Sequence, residues 1–302
     1  QVTQPRPVQI GDTVIGGPLG SQTGLAIGSI FYDNHSIVED AYDGTFDAER
    51  AEKLIRRVND LSRRYGVQMG FDVIGATEGA IAAALPFVAE RSKLPLLINA
   101  TEAEVRIAGL SVAAELGILD RCIYASLNED TEPEELEALA RNKPAGVMIL
   151  ANDISDSTPE GSCAMIESYF APMLKEIGCE TPIVDLGVMD APSIGIAMRG
   201  IAAVRERFGY PAGCAFSNCF PQWTGLSELG REWINVSLAA ALLVCRCHGG
   251  DFLHYGIVEK ARLAAHALGS AEVFLGFAAK ELDGHDLPAG HALMKMFKLA
   301  QS

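Results

Sequence analysis

With 302 residues, 49% of them hydrophobic and 21% charged, the chain can bury a large core, and one domain is the default reading at this size. A formal net charge of −15 argues against nucleic acid as a partner, since phosphate binding requires clustered Lys and Arg. The longest apolar run, 236–245, falls short of the roughly 20 residues of a bilayer span; no charged-then-apolar leader pattern stands at 1–8, and seven cysteines without a paired framework suggest reduced thiols in a cytoplasm.

Residues 1–22, rich in Gln, Pro and Gly, read as an arm or short hairpin for which low order is expected. A first strand over 23–31 is followed by a helix over 47–65, with Asp47 as N-cap and Leu54, Ile55, Val58 and Leu61 at helical spacing. The same alternation continues. Strands over 68–74, 94–99, 121–126 and 146–152 precede helices over 77–90, 102–116, 133–141 and 161–177. Strands around Ile183 and Cys214 precede helices over 192–208 and 227–247, and a last strand over 251–255 leads into a helix over 258–268. Residues 283–302 read as a helical tail whose amphipathic stretch 293–299 docks on the body or on a partner.

Eight strand–helix pairs in one domain spanning 23–282 predict an α/β fold of the closed (β/α)8 TIM-barrel type. An open nucleotide-binding sheet is disfavoured, because Gly24-Leu-Ala-Ile-Gly28 has neither the spacing nor the position of a dinucleotide fingerprint.

In such a barrel the residues that end the strands share one mouth. Here they are Asp72, Asn99, Ser126, Asn152 with Asp153, Asp185, Ser217 with Asn218, and His254 with Tyr255. The set holds amides and carboxylates but no Lys or Arg, which suits a neutral or donor-rich heterocycle better than a phosphorylated ligand. Asp72 and Asn152 read equally well as helix caps, His254 and Tyr255 as packing or dimer residues, and His35 as a group that closes the first loop. Cys245-Arg-Cys-His248 lacks the second ligand pair of a zinc site, so no metal is expected.

The series 27–32 with His35 and 37–40, then Cys122-Ile-Tyr124, then Ser217-Asn218 resembles the MtrH family, a component of tetrahydromethanopterin S-methyltransferase, and those relatives of it that methylate tetrahydrofolate. More distantly it is similar to the pterin-binding barrels, dihydropteroate synthase among them. The resemblance spans roughly 8–280. It implies that Asp185 binds the pterin 2-amino group and ring N–H, that Asn218 sits near N5, and that Asn152 supplies an amide. Asn99 stands where the third strand of the family has Asp, and Ala125 where the fourth has Asn.

What the resemblance implies is methyl transfer between methylcobalamin, carried by a separate corrinoid protein, and N5 of tetrahydrofolate. Asp185 and Asn218 would be the catalytic pair, with Asp72, Asn99, Ser126, Asn152 and Ser217 completing the pterin site. A homodimer is implied as well. The alternative is a non-catalytic or tetrahydromethanopterin-specific component of a corrinoid methyltransferase complex. Dihydropteroate synthesis fits poorly, because its pyrophosphate needs basic strand ends.

Overall fold

The computed structural model describes residues 3–216, 219–220 and 222–299. Ser217 and Asn218 therefore lie outside the described residues.

The chain begins with an antiparallel hairpin, β1 (Val8–Ile10) and β2 (Thr13–Ile15), paired Val8 to Ile15 and Ile10 to Thr13. The short-hairpin reading of this segment holds, with both strands where the sequence places them, but the low order expected of it does not. Instead Val8, Ile10 and Ile15 are buried against barrel-interior residues such as Ile123 and Ile183, so the hairpin is the plug of the barrel floor. The first barrel strand is β3 (Leu25–Ile30). A small antiparallel pair follows, β4 (Val38–Asp40) and β5 (Thr45–Phe46), then α1 (Ala48–Tyr65). Asp47 caps α1 by accepting the Arg50 N–H at 3.0 Å, Gly66 ends it at φ +67°, and Ala51, Ile55 and Val58 bury one face.

Next come β6 (Gln68–Ile74), α2 (Glu78–Arg91), β7 (Leu96–Asn99), α3 (Ala103–Glu115), β8 (Cys122–Leu127), α4 (Pro133–Arg141) and β9 (Gly146–Leu150). The helix expected over 161–177 is α5 (Pro159–Met165) and α6 (Ala171–Ile177), joined by a π-helical turn at Ile166–Phe170. Pro172 has no N–H for the regular ladder, and the wider turn precedes it. After β10 (Ile183–Asp185), α7 (Ile194–Phe208) and β11 (Ala212–Ala215), Gly230 at φ +119° divides the next expected helix into α8 (Thr224–Leu229) and α9 (Arg231–Cys247).

The last strand is β12 (Phe252–Ile257), and α10 (Ala261–Glu281) runs well past the end expected at 268. The residue after that expected end is Gly269. It is a point of close approach: a Cβ at Gly269 would lie 2.2 Å from Met296 Sδ in α11 (Ala292–Leu299), and one at Gly276 would lie 2.4 Å from His291 Cε1.

The eight strands close into a barrel in the order β3, β6, β7, β8, β9, β10, β11, β12 and back to β3, all parallel. Side chains alternate along a strand. One set, including Leu25, Ile27, Leu97, Ile123, Met148, Ile183 and Phe252, fills the interior, and the other joins the helices in a larger outer core. The next inward positions toward the strand C-termini are Ser29, Asn99, Asp185 and His254, so hydrophobic stacking gives way to polar groups one layer below the mouth. Buried ion pairs tie the outer shell. Arg246 binds Glu272 at 2.5 Å and also the Gln22 and Gly250 carbonyls, while Glu135 accepts from Arg106 and from the Tyr124 hydroxyl. Tyr124, part of the pattern that carries the resemblance, thus faces the helices and holds structure.

Candidate active site

A cavity of about 400 Å³ opens at the C-terminal end of the barrel, within the range of small-molecule sites. Asp72, Asn99, Ser126 and Asp185 all line it, together with Ser29, Tyr32 and His254. Four of the proposed site residues therefore meet in one place. Met148, Leu97 and Phe252 form its apolar floor.

Asp72 is the hub of the wall formed by β12, β3, β6 and β7. Its Oδ2 accepts from Ser29 Oγ at 2.9 Å and from His254 Nε2 at 2.9 Å, and its Oδ1 accepts from Asn99 Nδ2 at 2.9 Å. His254 Nδ1 accepts the Gly256 N–H at 3.2 Å, which leaves the ring proton on Nε2, facing Asp72. Burial alone would raise the Asp72 carboxyl; the hydrogen bonds from His254, Asn99 and Ser29 outweigh it and hold the group below the usual carboxylate range. It is ionised at neutral pH and can only accept. The cap reading for Asp72 gives way to this wall position.

Asp185 differs. Its main partner is the Gly187 N–H at 2.9 Å, and burial, opposed by that bond and by His254, pushes its carboxyl up to about 6. It is the acidic group in the cavity still free to take a ligand's hydrogen-bond donors. Tyr32 stands at the rim, its ring stacked on His35 at 4.4 Å, and burial with the nearby Glu259 charge raises its phenol to about 12. His35 does close the first loop: Nδ1 accepts the Phe31 N–H at 3.1 Å, and Nε2 meets Glu259 Oε1 at 2.9 Å.

Two expectations change and one residue was missed. Asn152 does not join this cavity; β9 ends at Leu150, and the residue packs against Gly187, with its amide 3.6 Å from Met189 Sδ, in a neighbouring cavity of about 380 Å³ between the loops after β9 and β10. His254 is no packing residue, since it bonds Asp72 on the cavity wall, whereas Tyr255, one position on, points outward and is 1% exposed. Ser29 was missed; its signal was strand parity, two positions beyond inward Ile27. Ala125 lines the cavity and offers only a methyl group, and the Ala125–Ser126 peptide bond is cis.

The arrangement excludes a serine-hydrolase triad despite its residue types. A single imidazole nitrogen, Nε2, faces both Ser29 Oγ at 3.1 Å and Asp72, and the other nitrogen is held by backbone, so the ring cannot relay a proton between them. Among the described lining residues no Lys or Arg offers an anion pocket. What remains is a polar, acceptor-rich socket that binds and orients.

The profile of the family described as the tetrahydromethanopterin S-methyltransferase MtrH subunit matches residues 4–285. The corresponding polypeptide of that enzyme from Methanothermobacter marburgensis is 33% identical over 301 residues, covering 96% of each chain. Its counterpart from Methanocaldococcus jannaschii is 30% identical, over 91% of this chain and 92% of its own. Among solved structures, dihydropteroate synthase from Yersinia pestis with a pterine-sulfa conjugate superposes with a TM-score of 0.63 at 11% identity, over 89% of this chain and 98% of that one. The Xanthomonas albilineans synthase in complex with 7,8-dihydropteroate gives 0.59 at 15% identity, over 89% and 98%. Those two likenesses are of fold alone, that of the (β/α)8 barrel. By its sequence along nearly its whole length, the chain belongs to the MtrH family of methyltransferase components.

Proposed function

We propose that this barrel holds a tetrahydropterin and transfers a methyl group between its N5 nitrogen and the cobalt of a corrinoid carried by a partner protein. The reading rests on one observation above the others: in a barrel of the MtrH family, Asp185 presents an unneutralised carboxyl to a cavity that holds no basic side chain among its described lining residues. A carboxylate suits the pterin edge because the 2-amino group and the adjacent ring N–H both donate. Tetrahydromethanopterin is the ring carrier favoured, since the relatives are named for it. Tetrahydrofolate, implied by the resemblance, is the competitor to be tested.

In this scheme Asp185 anchors the ring, with Asn99 and Ser126 as further polar contacts, and the ring lies over the apolar floor with N5 toward the open mouth. Asn218, on the segment after β11, supports N5 as its charge changes. The displacement is in line: one bond to the methyl carbon breaks as the other forms, N5 gives up its proton when it receives the methyl group, and it takes one when it loses it. No side chain becomes covalently attached, so the chain lowers the barrier by orientation. Asn152, in the neighbouring cavity, is free to contact the part of the substrate that extends beyond the ring.

Anaerobic titration with methylcobalamin and each tetrahydropterin tests this. Formation of cob(I)alamin by the chain alone is expected with tetrahydromethanopterin; pterin binding without any transfer points to the non-catalytic role, and no binding of either carrier removes the reading. Asn218→Ala is expected to slow transfer by about 10²-fold or more, with a much smaller effect on ring affinity.

A further inference from the structure

Asp72 is too well satisfied to be a ligand's first partner. Three side chains from three other strands, Ser29 of β3, His254 of β12 and Asn99 of β7, already donate to its two oxygens. Asp72 is 2% exposed and His254 7%, whereas Asn99 is half-buried on the cavity wall. An ionised carboxylate only accepts, so the atom that Asn99 turns toward it must be the amide nitrogen. The amide oxygen of Asn99 is then committed to the other direction and, among the described residues, has no protein partner.

We propose that Ser29, His254 and Asp72 form a positioning network that locks the polarity of the Asn99 amide, so that its carbonyl oxygen faces the cavity and the site selects a heterocycle whose amino-bearing edge donates hydrogen bonds. This rests on the proposed pterin site and adds to it the specificity device. An unrestrained Asn reads donors and acceptors alike, because a half-turn of its amide exchanges N for O. Held from behind by a carboxylate it reads donors alone. A ring with a carbonyl in place of the amino group then sets oxygen against oxygen, an unpaired contact that a built polar site rejects strongly. Asp72 and Asn99 thus act as one acceptor with its charge set a strand back from the ligand.

The test is the ratio of affinities for 6-methylpterin and 6-methyllumazine, rings that differ by amino against carbonyl at position 2, measured by calorimetry on the full chain. The wild type is expected to prefer the pterin by about 10²-fold or more. Asp72→Asn, which lets the two amides pair in either sense, is expected to reduce that preference at least tenfold. His254→Ala should reduce it in part, and His254→Gln, which keeps an N–H toward Asp72, should restore most of what His254→Ala loses. If Asp72→Asn does not fold, Asn99→Leu reads the same ratio with Asp72 retaining its other two partners. A wild type that binds pterin, with a ratio unchanged within twofold in Asp72→Asn or Asn99→Leu, overturns the network and leaves the pterin site standing. A wild type that binds neither ring removes the site itself and the network with it.

Discussion

Asp185 carries two opposed demands. Its carboxyl titrates near 6, above the value of about 3.9 for an unfolded Asp, so its ionisation disfavours the folded state increasingly as pH rises from about 4 through 6. Asp185→Asn should therefore raise ligand-free stability by about 1–3 kcal/mol at pH 8 and change little at pH 4, measured by urea unfolding. The same variant should lose tetrahydropterin affinity by about 10²-fold. For the wild type, affinity should climb about tenfold per pH unit up to pH 6 and level off above it, because the ring donors bind the ionised form. A flat profile from pH 5 to 8 would separate Asp185 from binding. Much at this scale was legible: a polar residue ending an apolar strand marked Asp72, Asn99 and Asp185. Strand parity, carried through residue by residue, also distinguishes inward Ser29 and His254 from outward Tyr255. What parity could not supply was partnership: that Asp72 is spent on three neighbours while Asp185 is not depends on which strands adjoin around the closed barrel.

Among the elements, the hairpin β1–β2 shows where composition misleads. Its Gln, Pro and Gly content suggests a loose arm, yet Ile10 is fully buried. Ile10→Ala should cost about 2–4 kcal/mol of unfolding free energy and leave ring affinity unchanged under native conditions, since the floor lies at the opposite end from the mouth. A loss below 0.5 kcal/mol on urea titration would show the plug to be dispensable. α10 misleads differently. Its expected end at 268 falls short because Gly269 and Gly276 continue the helix as contact points for the C-terminal segment, a tertiary cause that no local pattern displays. Asn152 is displaced for a related reason: β9 stops at Leu150, two residues early, and a position two residues beyond a strand end is enough to move a side chain into the next cavity.

At the scale of the molecule, α9 and α10 expose an apolar surface: Trp233, Val236 and Val244 on one helix, Phe274 and Phe277 on the other. The exposed positions of α9 from Trp233 through Val244 carry no charge, in a chain whose net charge is −15. Two such chains repel except where they can meet on uncharged surface, so a second copy is the occupant proposed for this face. Light scattering should give about twice the chain mass of 32.2 kDa, and Val244→Glu with Phe274→Lys should return it to that of one chain. Monomeric wild type would contradict the assignment. The barrel mouth is the surface left to the corrinoid-bearing partner proposed above. The most direct measurement of the central claim is the appearance of cob(I)alamin when methylcobalamin and tetrahydromethanopterin are mixed anaerobically with the wild type or with Asp185→Asn. The expected result is turnover by the wild type and its loss in the variant; equal rates in both, or none in either while the ring binds, would contradict it.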